Sequence, residues 1–126
     1  MDNVLETIEI INSLTTHMYY NLIKMDGKTY YLNGGCLELS EILKEVYPGS
    51  ISYIKYDKTH VITKIGDNYY DASGYVDEPE EYYIMTNADL DIYINYTNNH
   101  YKLLNIEENI KKLLIKKNNP SQKLGL

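Results

Sequence analysis

A single cysteine, Cys36, follows two glycines and opens an amphipathic run, Asn33-Gly34-Gly35-Cys36-Leu37-Glu38-Leu39-Ser40-Glu41-Ile42-Leu43. The start of a helix favours negative charge, because its first N–H groups lack intrahelical partners and the helix dipole is positive there. A thiol so placed readily becomes the nucleophilic thiolate. Downstream, His60 leads the β-branched run Val61-Ile62-Thr63-Lys64-Ile65, and Asp71 closes Asn68-Tyr69-Tyr70-Asp71. In this order the three residues match a nucleophile, a general base and a carboxylate that orients the base. An oxyanion formed at such a site needs donors. The backbone N–H of Cys36, the hydroxyls of Tyr30 or Tyr31 and the Asn33 amide are the candidates, while Gly34 and Gly35 allow close approach.

Whether His60 and Asp71 can meet depends on the turn between their strands. A two-residue loop at Gly66-Asp67 pairs Ile65 with Asn68, Thr63 with Tyr70 and Ile62 with Asp71. His60, Ile62, Asp71 and Ser73 then share one face, because side chains alternate along a strand. Imidazole and carboxylate become diagonal neighbours, their backbones roughly 7–8 Å apart. A three-residue loop would put Asp71 opposite Thr63 and separate the pair. The two-residue turn is the expected one.

The elements that carry these residues follow from periodicity. Val4, Ile8, Ile11, Leu14, Met18 and Leu22 recur with a helical period, which predicts a helix from about Asn3 to Lys24, closed by Gly27. Thr29-Tyr30-Tyr31-Leu32 reads as a short extended piece. The helix beginning at Cys36 runs to Val46, with Leu39, Ile42, Leu43 and Val46 inward and Glu38, Glu41, Lys44 and Glu45 outward; Tyr47-Pro48-Gly49 stops it. Strands are expected at Ile51–Tyr56, Val61–Ile65, Asn68–Ala72, Tyr82–Met85 and Leu90–Tyr96, with an exposed acidic connection at Asp77–Glu81. Asn105 reads as the N-cap of a last helix ending at Asn118, with Glu107 and Glu108 in its first turn and lysines in its last turns.

With 126 residues, 44% of them hydrophobic, the chain suits one domain with its own core. No apolar run approaches the roughly 18 residues of a membrane span. The acidic N-terminal segment has no signal-peptide pattern, and one cysteine permits no internal disulfide, so a cytoplasmic setting is expected. The net charge is −6 and all twelve basic residues are lysine, which disfavours nucleic-acid binding. Fifteen tyrosines stand without phenylalanine or tryptophan, so tyrosine must fill much of the core. This usage, with the abundance of Ile, Asn and Lys, resembles that of low-GC bacteria and their phages. His17 on the first helix and His100 in a loop are expected to be solvated. Three histidines and one cysteine without tight spacing make a poor zinc site, and neither metal nor cofactor is expected.

Gly35-Cys36-Leu37-Glu38-Leu39-Ser40, His60-Val61-Ile62-Thr63-Lys64-Ile65 and Tyr69-Tyr70-Asp71-Ala72-Ser73-Gly74 together resemble the core of the transglutaminase-like branch of papain-like cysteine enzymes, and in particular small phage-type members. The resemblance spans about Tyr30 to Tyr75. It implies a Cys at a helix start facing His and Asp on adjacent antiparallel strands, and cleavage, deamidation or acyl transfer at an amide bond. The Cys-to-His spacing is shorter than is usual in that group, and the tryptophan many members carry near the site is absent.

The sequence thus predicts one α+β domain over residues 1–118, with helices packed on a small antiparallel sheet and a flexible tail at 119–126. Its expected function is that of a cysteine-dependent hydrolase or acyltransferase working through a thioester on a protein or peptide substrate. Cys36, His60 and Asp71 are the candidate catalytic residues, and Tyr30, Tyr31, Asn33 and Gly35 the candidate oxyanion or substrate contacts. The alternative is a phage-encoded binding protein that blocks a host defence or regulatory protein, with the three residues unused. Taken singly, each of the three has an ordinary structural role. The reading rests on all of them together.

Overall fold

The computed structural model describes residues 3–92 and 105–118. The expected first helix forms as α1 (Asn3–Ile23), burying Val4, Ile8, Ile11, Thr15, Tyr19 and Ile23. Its buried stripe departs from the expected one after Ile11: Met18 and Leu22 are exposed, and Thr15, Tyr19 and Ile23 face inward instead. Thr15 can be buried because its hydroxyl donates to the Ile11 carbonyl and hydrogen-bonds the Tyr31 hydroxyl at 2.8 Å. Lys24, with φ of 61°, ends the helix. Gly27 does not close α1; it opens the next helix. A Cβ there would lie 2.3 Å from the Asn12 carbonyl oxygen, so its role is close helix packing.

That next helix, α2 (Gly27–Leu32), replaces the extended piece expected at Thr29–Leu32. Asp26 caps it by accepting from the Thr29 N–H at 2.8 Å. Burial of Tyr30 and Tyr31 then outweighs the strand preference of Thr-Tyr-Tyr-Leu. Helix α3 (Cys36–Val46) has the expected limits. One residue on it differs: Glu38, expected on the outer face, is buried.

Five strands follow: β1 (Ile51–Lys55), β2 (Val61–Ile65), β3 (Asn68–Asp71), β4 (Gly74–Tyr75) and, after a 3-10 turn at Pro79–Glu81, β5 (Tyr82–Ile84). They form one antiparallel sheet in the order β4-β3-β2-β1-β5. The hairpin register is the one that the two-residue turn requires, with Ile65 opposite Asn68 and Thr63 opposite Tyr70. The strand expected at Leu90–Tyr96 is not found at its start, since residues 87–92 are helical (α4); its remainder lies outside the described residues, as do His100 and the tail at 119–126.

Helix α5 (Ile106–Asn118) buries Ile106, Ile110 and Leu114. Helix α3 lies on the sheet, α2 and α5 pack on α3, and α1 packs on α2 and α5. The chain is therefore α+β, with helices on a small antiparallel sheet. Beneath α3, the Ser40 hydroxyl meets the Ser52 hydroxyl at 2.6 Å and accepts from Thr63 at 2.7 Å. This buried hydroxyl chain ties the Cys36 helix to β1 and β2.

Candidate functional site

Cys36 is the first residue of α3 and is only 5% exposed, packed with Ile54 of β1 and Val61 of β2. The preceding residue, Gly35, is the N-cap and offers no side chain to the first N–H groups of the helix. His60 stands just before β2, where its carbonyl accepts from the Lys55 N–H at 2.9 Å and closes the β1–β2 connection. Within that connection the Asp57 carboxylate accepts from the Thr59 N–H and hydroxyl, at 3.0 and 2.5 Å, which sets the approach to His60.

Asp71, at the end of β3, faces His60. Its Oδ2 lies 3.1 Å from His60 Nε2, while its Oδ1 accepts from the Ser73 N–H at 2.8 Å and the Ser73 hydroxyl at 2.6 Å. Both side chains are largely enclosed, 16% and 15% exposed. Burial works against a charged imidazole, but interactions with Asp71 and with the Cys36 thiol outweigh it and push the His60 pKa up to about 9. For Asp71, burial alone would raise the pKa; the hydrogen bonds from His60 and Ser73 prevail and hold it below the usual carboxylate range. The ring is held by the carboxylate, protonated and oriented at neutral pH.

A cleft of about 460 Å³ opens over the cysteine, lined by Leu32, Asn33, Gly34, Cys36, Lys58, Thr59 and Ile92. Of the candidate oxyanion or substrate contacts, Asn33 faces this cleft, with its side-chain amide donating to the Thr29 carbonyl at 2.9 Å. The Gly35 N–H is engaged by the Tyr30 carbonyl at 3.0 Å. Tyr30 and Tyr31 do not reach the cleft. Both are wholly buried, with the Tyr30 hydroxyl donating to Glu38 and that of Tyr31 paired with Thr15. The Tyr30 ring lies beneath Gly35, and Tyr31 packs edge-on against it with ring centroids 5.1 Å apart.

Two groups at the site escaped the sequence reading. Lys58 lines the cleft, and its ammonium pairs with Asp89 at 2.7 Å and with the Tyr83 hydroxyl. Asp89 accepts in addition from the Thr86 N–H and hydroxyl and from Tyr83, and the Lys58 ammonium foremost holds its carboxyl far below the usual range. Thr86-Asn87-Ala88-Asp89 has the spacing of a reciprocal helix cap, the sequence signal that could have revealed this anchor. Among the described residues, no group of His, Cys, Asp or Glu is arranged to hold a metal ion. No helix among them is long and apolar enough to cross a membrane.

The family of phage YunG-like proteins matches residues 14–115, which include all three candidate catalytic residues. The chain belongs to the phage YunG-like family. Comparison with curated proteins and with solved structures gives no match.

Proposed function

We propose that this YunG-like protein is a cysteine-dependent hydrolase or acyltransferase that acts on an amide or peptide bond through a thioester. The observation that carries the reading is the 3.1 Å contact of His60 Nε2 with Asp71, on a ring whose pKa the Cys36 thiol also raises. The resemblance of the three segments to transglutaminase-like cysteine enzymes supports it from the sequence side. Protein or peptide is the substrate class that this resemblance favours.

In this reading the Cys36 thiolate attacks the carbonyl carbon of an amide, and negative charge passes to the carbonyl oxygen. Donors at the start of α3 and the Asn33 amide face that oxygen. As the tetrahedral adduct collapses, the carbon–nitrogen bond breaks and protonated His60 gives its proton to the departing amine. The acyl group remains on sulfur. Neutral His60 then takes a proton from water, or from an acceptor amine, which attacks the thioester and releases the Cys36 thiolate. Asp71 holds the ring and balances its charge through both halves of the cycle.

Iodoacetamide labelling of Cys36 against pH tests this. Labelling at pH 7 is expected to slow by about tenfold or more in His60→Ala. A labelling rate unchanged by His60→Ala overturns the reading. Retention of a biological effect by Cys36→Ala would then favour the binding protein.

A further inference from the structure

The chemistry proposed above leaves one buried ionisable side chain unused. Glu38 is in the first turn of α3, two residues after Cys36 and therefore on a different side of the helix from the thiol. It is 6% exposed, and its Oε1 accepts from the Tyr30 hydroxyl, which is itself wholly buried. Tyr30 also holds the segment leading to the cysteine. Its carbonyl accepts from the N–H of Asn33 at 3.2 Å and of Gly35 at 3.0 Å. Its ring lies so close beneath Gly35 that a Cβ there would come within 2.5 Å of Cε2. One residue thus touches the position before the nucleophile and the position two beyond it.

The other ionisable groups near this carboxyl are Tyr31 of α2 and Glu107 of α5, the latter paired with Lys111 at 2.8 Å. Burial pushes the Glu38 pKa up to about 7, with the Tyr30 hydrogen bond opposing that rise. A buried polar pair of this kind is costly when half-satisfied and fixes geometry when complete.

We propose that Tyr30 and Glu38 are positioning residues, whose buried hydrogen bond clasps the Asn33–Cys36 turn and keeps the thiol in register with the His60 ring. The inference rests on the cysteine-enzyme reading, since it assigns the pair a role in arranging that site. Loss of the hydroxyl leaves the ring under Gly35 but releases the first turn of α3. The sulfur then drifts from the imidazole, and His60 loses the part of its raised pKa that the thiol provides.

The test is iodoacetamide labelling of Cys36 from pH 5 to 10, with NMR titration of His60 and circular dichroism on the same samples. Tyr30→Phe is expected to slow labelling at pH 7 about tenfold, since misplacement on the order of 1 Å is enough to cost that much, and to lower the His60 pKa. Glu38→Gln keeps an acceptor for Tyr30, so its rate is expected to stay within about twofold of the parent. The double variant Tyr30→Phe/Glu38→Leu removes both polar groups together and so retains the fold, yet it should label as slowly as Tyr30→Phe. If the folded double variant matches the parent in rate and His60 pKa, the clasp is overturned. His60→Ala separates the two levels: if it leaves labelling unchanged, the cysteine-enzyme reading itself has failed. If it slows labelling while the Tyr30 variants do not, only the clasp has failed.

Discussion

His60 and Asp71 meet across the β2–β3 hairpin, Nε2 to Oδ2 at 3.1 Å, on strands joined by only Gly66 and Asp67. The contact is a consequence of register. Moving the pairing by one residue would turn one of the two side chains to the opposite face.

Asp71→Asn should therefore act on the histidine more than on the fold. Asparagine can still accept from Ser73, but it brings no charge to the imidazolium. The His60 pKa, about 9 in the parent, is expected to fall by at least ~1 unit in an NMR titration. Labelling of Cys36 at pH 7 should slow by about tenfold or more. A His60 titration unchanged by the substitution would contradict the assigned role of the carboxylate.

The hairpin was legible because its determinants are local: β-branched residues, alternation and a Gly-Asp turn. The start and end of α3 were legible for the same reason. What the sequence hid is decided across the chain. Thr29-Tyr30-Tyr31-Leu32 has strand composition, yet the Asp26 cap and burial against α1 make it helical. Leu90-Asp91-Ile92 alternates like a strand, while the reciprocal Thr86–Asp89 cap starts a helix there. Glu38 shares the polar stripe of the helix with Glu41 and Glu45 in sequence, and only the fold brings Tyr30 to it. The three candidate residues could thus be named from the sequence, whereas the contacts of Tyr30 and Glu38 beneath them could not.

Stability should depend on pH through two groups with raised pKa values. Glu38 goes from an ordinary 4.5 to about 7 on folding. Its contribution is fully present below pH 4.5 and is lost as pH rises through about 7, because unfolding then lets the charged carboxylate return to water. Glu38→Gln should match the parent at pH 5 in relative terms and gain on the order of 2–3 kcal/mol over it by pH 9, measured by urea unfolding. A parent-minus-variant difference that stays flat between these pH values would exclude a buried, titrating Glu38.

For His60 the window is higher. Its folded pKa of about 9 exceeds the ordinary 6.5, so protonation stabilises the fold below 6.5 and that contribution disappears as pH rises through about 9. Relative to His60→Asn, the parent should lose on the order of 2 kcal/mol between pH 6 and pH 10. Unfolding curves for the two proteins across that range check it, with convergence at alkaline pH as the expected outcome. Divergence there would mean that the imidazole is buried neutral.

Gly35 and Gly66 should both resist alanine, for different physical reasons. Gly35 has φ of −98°, a value any residue adopts, but its Cβ would meet three ring atoms of the buried Tyr30 at 2.5 to 2.9 Å. The ring is held by its hydroxyl and cannot withdraw, so Gly35→Ala is an overpacking change costing about 1–3 kcal/mol. It should also slow Cys36 labelling, because the displaced residue precedes the thiol. Gly66 has open space around it but φ of 62°, and Gly66→Ala costs roughly 1 kcal/mol through the backbone alone. Gly66→Asn, which tolerates that conformation, should restore stability, whereas no substitution of comparable size rescues position 35 while Tyr30 is present. Urea unfolding of the three variants separates the cases: recovery by asparagine at 66 marks a conformational cost, and its absence would place a steric contact at the turn.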